Sequence, residues 1–310
     1  MRKFLKSCLI WVKASRPAFF TGSVMPIFIG SALAYSETGR LHWGFFLLSL
    51  LALMLLHAAA NLVNDYYDHV SGNDWLNKDF ASPFTGGSRT IQQGLAQPKA
   101  VLLASVICLG LGGLIGFYLA WMRGWPILAL GLVGGLSAYF YTAKPLQLGY
   151  RGFGELFIWL DFGLLPVLGA YYVQVQHFSQ AAVIASFPMA FLIMAVLWIN
   201  QFQDYQADKA VNKRHWVVRL GRRRASYVYA GMLAAAHLSL LYGVLAHLLP
   251  ITTAVALLTL PLSFIAATTA LRYYDDLPRL VKANATTIPL HLLTGTLFTL
   301  GIVAQKFLKI

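Results

Sequence analysis

The chain is poor in charge, poorer still in acids, and nearly without cysteine. Of 310 residues, 11% are charged, with 11 Asp+Glu against 24 Lys+Arg. Soluble domains carry roughly 25% charged residues, so this chain has too little charge to dress a water-facing surface. Two cysteines, Cys8 and Cys108, both set among apolar residues, exclude a disulfide scaffold and read as unpaired thiols. A cleavable leader is not expected, because Lys13 and Arg16 interrupt the first apolar stretch and no small-residue cleavage site follows. What is abundant is apolar: 58% of residues, which excludes intrinsic disorder. Mean hydropathy is +0.63. The composition specifies an all-α, polytopic membrane bundle.

Nine apolar stretches are long enough to span a bilayer: roughly 17–35, 42–64, 100–121, 125–143, 153–174, 180–203, 226–246, 250–271 and 286–307. We read the chain, 1–310, as a single integral-membrane unit. The formal charge of +13 would suggest nucleic acid in a soluble protein. Here it tests topology instead, and no nucleic-acid partner is expected. With the N-terminus inside, all of the 24 basic residues except Arg40, Arg123, Lys306 and Lys309 fall on the inner side. That bias predicts a cytoplasmic N-terminus and an external C-terminus.

The acids are concentrated. Asp65, Asp68, Asp74, Asp79, Asp204 and Asp208 lie at two inner helix ends or in the loops that follow. Asn61, Asp65 and Asp68 are spaced i, i+4, i+7; Asn200, Asp204 and Asp208 are spaced i, i+4, i+8. Each set shares one helix face, where like charges repel and call for a cation. Oxygen donors without His or Cys favour Mg²⁺, which takes one or two carboxylates and fills its shell with phosphate oxygens and water. Two such clusters facing each other suit a diphosphate. Arg89, Lys213 and Arg214 follow the clusters and are candidates to neutralise it. Solvated loop acids and positive-inside anchoring are the plainer readings, and the repeat of Asn-x₃-Asp at two inner ends weighs against the first. Arg222, Arg223 and Arg224 read as anchoring.

These residues resemble a known family. The run NLVNDYYD from Asn61 to Asp68, the run GGSRTIQQG from Gly86 to Gly94, and the stretch from Tyr150 through Glu155 to Gln174 look like the UbiA superfamily of intramembrane prenyltransferases. So does the opening run from Ser15 to Gly30. The branch most similar is MenA, the 1,4-dihydroxy-2-naphthoate polyprenyltransferases. The resemblance implies nine helices around a central cavity, with a polar cap at the cytoplasmic face. It implies that Asp65, Asp68, Asp204 and Asp208 bind Mg²⁺ and the diphosphate of a polyprenyl donor. Asn61, Asn64 and Asn200 complete or orient that site, and Tyr141 belongs to the aromatic lining. The product expected is demethylmenaquinone, formed with decarboxylation, and the expected location is a bacterial inner membrane.

The sequence departs from the family pattern in three places. Gly72 stands where the superfamily has a third Asp, and the next acid is Asp74, as in the menaquinone branch. Asn212-Lys213-Arg214-His215 replaces Gly-Lys-Arg-Thr. Lys144 stands near the presumed aromatic pocket, where relatives are often less basic, which leaves 4-hydroxybenzoate or homogentisate open as acceptor. A cation-coupled transporter and an inactive scaffold are the readings of another class. By proximity to the clusters, Tyr66, Tyr67, Tyr205 and Trp198 are further aromatic candidates. His57 reads as structural, and His69 and His215 as loop residues. Glu155 is expected to pair with Arg151, and Asp161 lies deeper, where it would face the substrate cavity.

Overall fold

The computed structural model describes the backbone of residues 2–308 and the side chains of 8–308. Lys309 therefore lies outside the described residues, as do the side chains of Arg2, Lys3 and Lys6. Within a bilayer, an isolated strand leaves N–H and C=O groups unpaired while a helix pairs them internally, and the described secondary structure is helical throughout.

A surface helix α1 (Arg2–Ala14) leads through a turn at Arg16 into α2 (Thr21–Thr38). Then follow α3 (Trp43–Val70), the short α4 (Asn73–Leu76), α5 (Pro98–Arg123) and α6 (Trp125–Phe140). The fifth crossing joins α7 (Gly154–Trp159) to α8 (Leu165–Val175) through a π-helical turn at Leu160–Leu164. Next come α9 (Gln180–Ala210), the short α10 (Trp216–Leu220) and α11 (Arg222–Leu245). A 3₁₀ run, Ile251–Thr259, feeds α12 (Leu260–Tyr273), and α13 (Leu277–Leu308) ends the chain. Among the described residues, eight crossings are long and apolar enough to span, and α6 is a shorter ninth. At 16 residues α6 is about 24 Å long, against a hydrocarbon core of roughly 30 Å.

Boundaries move where polar residues are drawn into helices. Helices α3 and α9 run past the expected ends at 64 and 203, carrying both acid clusters on helix rather than loop. Helix α13 starts nine residues early. Asp276 accepts the Arg279 amide at 3.2 Å and starts the helix, while Leu280 and Asn284 face the interior. These contacts outweigh Arg279 and Lys282, whose charge favours a loop over 277–285.

Helix α9 is the central post. Its residues, from Ala182 through Phe202, join the main core with α2, α8, α11, α12 and α13. Helices pack closely where glycine allows. A Cβ on Gly30 would stand 2.4 Å from the Val167 carbonyl oxygen, so α2 and α8 touch backbone to backbone. The outer surface is a belt of exposed Leu, Phe and Trp, including Leu103, Leu114 and Phe264. Trp43, Trp121 and Trp125 are exposed at the end opposite the acids, as interfacial anchors are. Arg123 caps that end, donating to the Val173 and Gln174 carbonyls.

Candidate active site

Both acid-bearing helix ends open into one cavity of about 170 Å³, walled by α2's approach, α3, α4, the 77–87 loop and α9. Asp68, Asp74, Asp204 and Asp208 line it, facing Arg16 and Lys213. Four carboxyl groups against two cations give the half-enclosed space more acidic groups than fixed positive charges.

Helical spacing dictates which acids meet. Asp68 on α3 and Asp208 on α9 share one ammonium: Lys213 Nζ lies 3.5 Å from each. Burial alone would lower the Lys213 pKa, but Asp208 and Asp68 outweigh it and hold the ammonium well above its ordinary value. Asp68 also accepts from Asn64 Nδ2 at 3.0 Å and from the Tyr150 hydroxyl at 3.3 Å. Asp208 accepts from Asn73 Nδ2 at 2.7 Å and contacts His215 Nε2 at 2.8 Å. Asp204 accepts from Asn77 Nδ2 at 2.6 Å. Helix α4 thus ties the first cluster to the second: Asn73 at its start and Asn77 just past its end reach across to the acids of α9.

Asp65 points to the other side. The Arg16 guanidinium and the Ser88 hydroxyl both bond it, and the Ser88 amide donates at 3.3 Å. Gly87, at φ +74, leaves no room for a side chain: a Cβ there would stand 2.9 Å from the Asp65 carboxylate. Asn61 donates to the Ser15 carbonyl at 2.8 Å, holding the turn that aims Arg16. Asn200 lines the cavity and accepts from Asn284 Nδ2 at 2.8 Å. The Asp74 carboxyl is pushed up to about 8, by burial first and then by Asp68 and Asp65, with Arg16 and Arg89 opposing. Deeper along the helices than the acids, Ile158, Phe162 and Leu197 make the cavity apolar and aromatic, and Phe19, Phe84 and Tyr141 add aromatic lining from the turns and helix ends. Gly154 leaves the Tyr141 ring its place, since a Cβ there would stand 3.0 Å from the phenol oxygen.

Three basic candidates are placed away from the cavity. Lys144 and Arg214 are exposed, and Arg214 Nε bonds its own loop at Asn212 Oδ1, 2.8 Å away. Arg89 folds under the loop, donating to the Asp74 and Asn77 carbonyls and stacking on Phe80. It shapes the cavity wall without lining it. Among the aromatics, Trp198 is spent on the Ala225 carbonyl and Tyr205 lies beside Arg222; neither lines the cavity, nor do Tyr66 and Tyr67. Glu155 does not pair with Arg151. It is buried and accepts from the Trp216 amide at 2.9 Å and Gln201 Nε2 at 3.3 Å, whereas Arg151 reaches the Pro145 carbonyl. Asp161 is turned away from this cavity, toward the Ser137 hydroxyl on α6. His215 is no free loop residue, since its ring caps α10 while gripping Asp208.

Sequence reasoning missed Arg16, Asn73, Asn77 and Asn284. The charge bias counts Arg16 only as one more inner-side cation. Its position, in the left-handed region at φ 54 immediately before Pro17, marks a turn with a purpose. Asn73 and Asn77 bracket a four-residue helix that no periodicity reveals.

The UbiA prenyltransferase family model matches residues 23–288. The chain belongs to the UbiA prenyltransferase family. It is a prenyltransferase embedded in a membrane. A 2-carboxy-1,4-naphthoquinone phytyltransferase of Synechocystis sp. is 30% identical over 293 residues, 94% of this chain and 92% of the relative. A 1,4-dihydroxy-2-naphthoate octaprenyltransferase of Mycobacterium tuberculosis is 32% identical over 260 residues, 83% and 84% of the two chains. A UbiA homolog from Archaeoglobus fulgidus, solved bound to GPP and Mg²⁺, superposes with a TM-score of 0.65 at 14% identity, covering 95% of this chain and 99% of that one. At that identity the likeness shows the shared bundle alone. Within the UbiA family, this chain is of the MenA-like kind.

Proposed function

We propose that the protein transfers a polyprenyl group from polyprenyl diphosphate to 1,4-dihydroxy-2-naphthoate, with loss of the carboxylate, giving demethylmenaquinol, the reduced form of demethylmenaquinone. The observation that carries the reading is the excess of carboxyl groups over cations in one cavity whose deeper wall is apolar and aromatic. The named naphthoate and naphthoquinone relatives support the acceptor. Lys144, the residue that kept other acceptors open, is exposed away from the cavity and no longer argues for them.

Mg²⁺ is tested against the donor set. Among the described residues no three metal-binding side chains converge on one point. The acids come in pairs, all oxygen, and Asn73 Oδ1 and Gln201 Oε1 are buried without partners. That set fits an ion that takes one or two carboxylates and completes its shell with phosphate oxygens and water. Such ions would be held by these carboxylates singly or in pairs, Asp68 from α3 and Asp204 and Asp208 from α9, with Asp65 behind them. When bound, the ion neutralises charge on the diphosphate leaving group.

The chain's own residues do the rest. Arg16 and Lys213, which both line the cavity, offset the charge the diphosphate gains as the allylic C–O bond breaks. Asn64, Asn73 and Asn77 keep the carboxylates aimed. The apolar, aromatic deeper wall excludes water from the allylic cation, and the Tyr141 face stabilises it. The acceptor ring carbon that bears the carboxylate then forms the new C–C bond, and the pair from its bond to the carboxylate restores the aromatic ring. The electron pair of the broken C–O bond leaves with diphosphate, and the carboxylate leaves as carbon dioxide. The site opens to the cytoplasm of a bacterial inner membrane, on the side that holds most basic residues.

The test is a product assay in lipid with geranylgeranyl diphosphate, Mg²⁺ and dihydroxynaphthoate. A prenylated naphthoquinol that disappears with EDTA and in Asp68→Ala and Asp204→Ala supports the whole reading. Prenylation of 4-hydroxybenzoate alone would overturn the acceptor and keep the mechanism.

A further inference from the structure

A second cavity, of about 530 Å³, lies between α3, α5, α6 and α8. Volumes of about 300–1,000 Å³ are usual for small-molecule sites. Its walls are aliphatic and glycine-rich. Gly113, Gly116, Gly131 and Gly134 line it, and a Cβ on any of the four would meet nothing within 4 Å. The space is therefore open rather than a close helix contact.

One carboxyl group enters this apolar space. Asp161 lines the cavity from the π-helical turn that joins α7 to α8. Single π turns are frequent at functional sites, and an ionisable residue at membrane depth is costly without a role. Asp161 Oδ2 lies 2.5 Å from the Ser137 hydroxyl, while Oδ1 is buried with no partner. Among the described residues it has no ion pair. A buried acceptor left unpaired costs about 1–3 kcal/mol, and lipid chains offer it no donor.

The two cavities are neighbours in sequence and space. Tyr139 and Phe140 line the apolar one and Tyr141 the catalytic one; Asp161 lines the first and Phe162 the second. We propose that the apolar cavity binds a lipid-soluble hydroquinone, one phenolic O–H donating to Asp161 Oδ1 and the isoprenoid chain lying along the glycines of α5 and α6. The choice of a hydroquinone rests on the proposed function, because a prenylated hydroquinone is that reaction's product class. The location and the need for a hydrogen-bond donor rest on Asp161 alone.

The experiment uses the full chain in nanodiscs, under anaerobic conditions. The probes are a geranylated 1,4-naphthohydroquinone and its dimethyl ether, which lacks both donors. The wild type binds the hydroquinone about tenfold more tightly than the ether, the size of effect one well-made hydrogen bond gives. Asp161→Leu removes that preference, Asp161→Asn keeps it through its carbonyl oxygen, and Gly134→Leu, which fills the cavity, weakens both probes. Equal binding of the two probes to wild type, or a preference surviving Asp161→Leu, overturns the proposal. Mg²⁺-dependent binding of geranyl diphosphate, measured on the same samples, confirms that each variant is folded. Absence of that binding in wild type would sink the prenyltransferase mechanism, while the hydroquinone preference is still read independently.

Discussion

Lys213 stands between two carboxylates from different helices, and both are buried. Removing one partner of such a set leaves uncompensated buried charge, at a cost of roughly 3–5 kcal/mol. Lys213→Met is therefore expected to lower the melting temperature sharply, with Mg²⁺ restoring part of the loss by taking the vacated cationic role. Melting curves with and without Mg²⁺ check this, and an EDTA-insensitive melt would count against it. Asp74 gives the pH dependence. Its carboxyl is held at about 8 when folded, against an ordinary 3.8, so the folded state binds more protons between those values. Stability then falls as pH rises from about 4 to about 8, the direction set by the extra bound proton. Asp74→Asn is expected to flatten that decline; an unchanged slope would assign it to other acids. That Asp204 and Asp208 enter one cavity was legible from i, i+4 spacing, because a helix fixes which residues share a face; the same spacing did not show that Asp65 turns from Asp68 toward Arg16 and Ser88. Nor were Arg16 and His215 legible, because their roles depend on loop turns that bring them to acids 49 and 7 residues away.

Helices here are positioned by small residues and buried amides. Gly30 lets α2 lie on α8 with only backbone between them. Overpacking at such a contact costs about 1–3 kcal/mol, so Gly30→Ala should lower the melting temperature by several degrees in detergent while leaving the acid cavity's residues in place. Asn284 on α13 bonds Asn200 and Gln203 on α9. Asn284→Leu leaves both buried amides short of partners, and the expected outcome is about a tenfold weaker affinity for the diphosphate donor, at roughly 1–3 kcal/mol per unpaired group. An equilibrium titration with geranyl diphosphate measures it. The apolar crossings could be read from hydropathy, since a run of about 20 apolar residues matches the thickness of the hydrocarbon core. The start of α13 and the existence of α4 could not: Asp276, Leu280, Asn73 and Asn77 owe their placement to contacts that hydropathy does not register, most of them with distant segments.

At the scale of the whole molecule, the nine crossings sort most of the described charged residues to two ends, with Asp161 left between them. Asp65, Asp68, Asp204, Asp208, Arg16 and Lys213 gather at one, while Arg123 and Lys306 mark the other, with Lys306 Nζ near the Tyr35 carbonyl. In the orientation we propose from the positive-inside bias, the acid end faces the cytoplasm. In a Cys8→Ser/Cys108→Ser background, Arg40→Cys should react with an impermeant maleimide added to intact cells, and Arg151→Cys only after lysis. The reverse pattern would invert the assigned orientation.

Composition, the length of the apolar runs and the bias of basic residues determined, without any structure, a nine-helix membrane bundle with two acid clusters at one end. Those properties follow from local rules: water excludes long apolar runs, bilayers demand paired backbones, and helices repeat every 3.6 residues. Only the tertiary structure decided that Asp68 and Asp208 share Lys213, that Lys144 and Arg214 stay outside, that Glu155 serves the Trp216 amide, and that Asp161 enters a separate apolar cavity. Each of these depends on the relative placement of segments far apart in the chain. That placement is set by side-chain packing between helices, which no single helix's periodicity encodes.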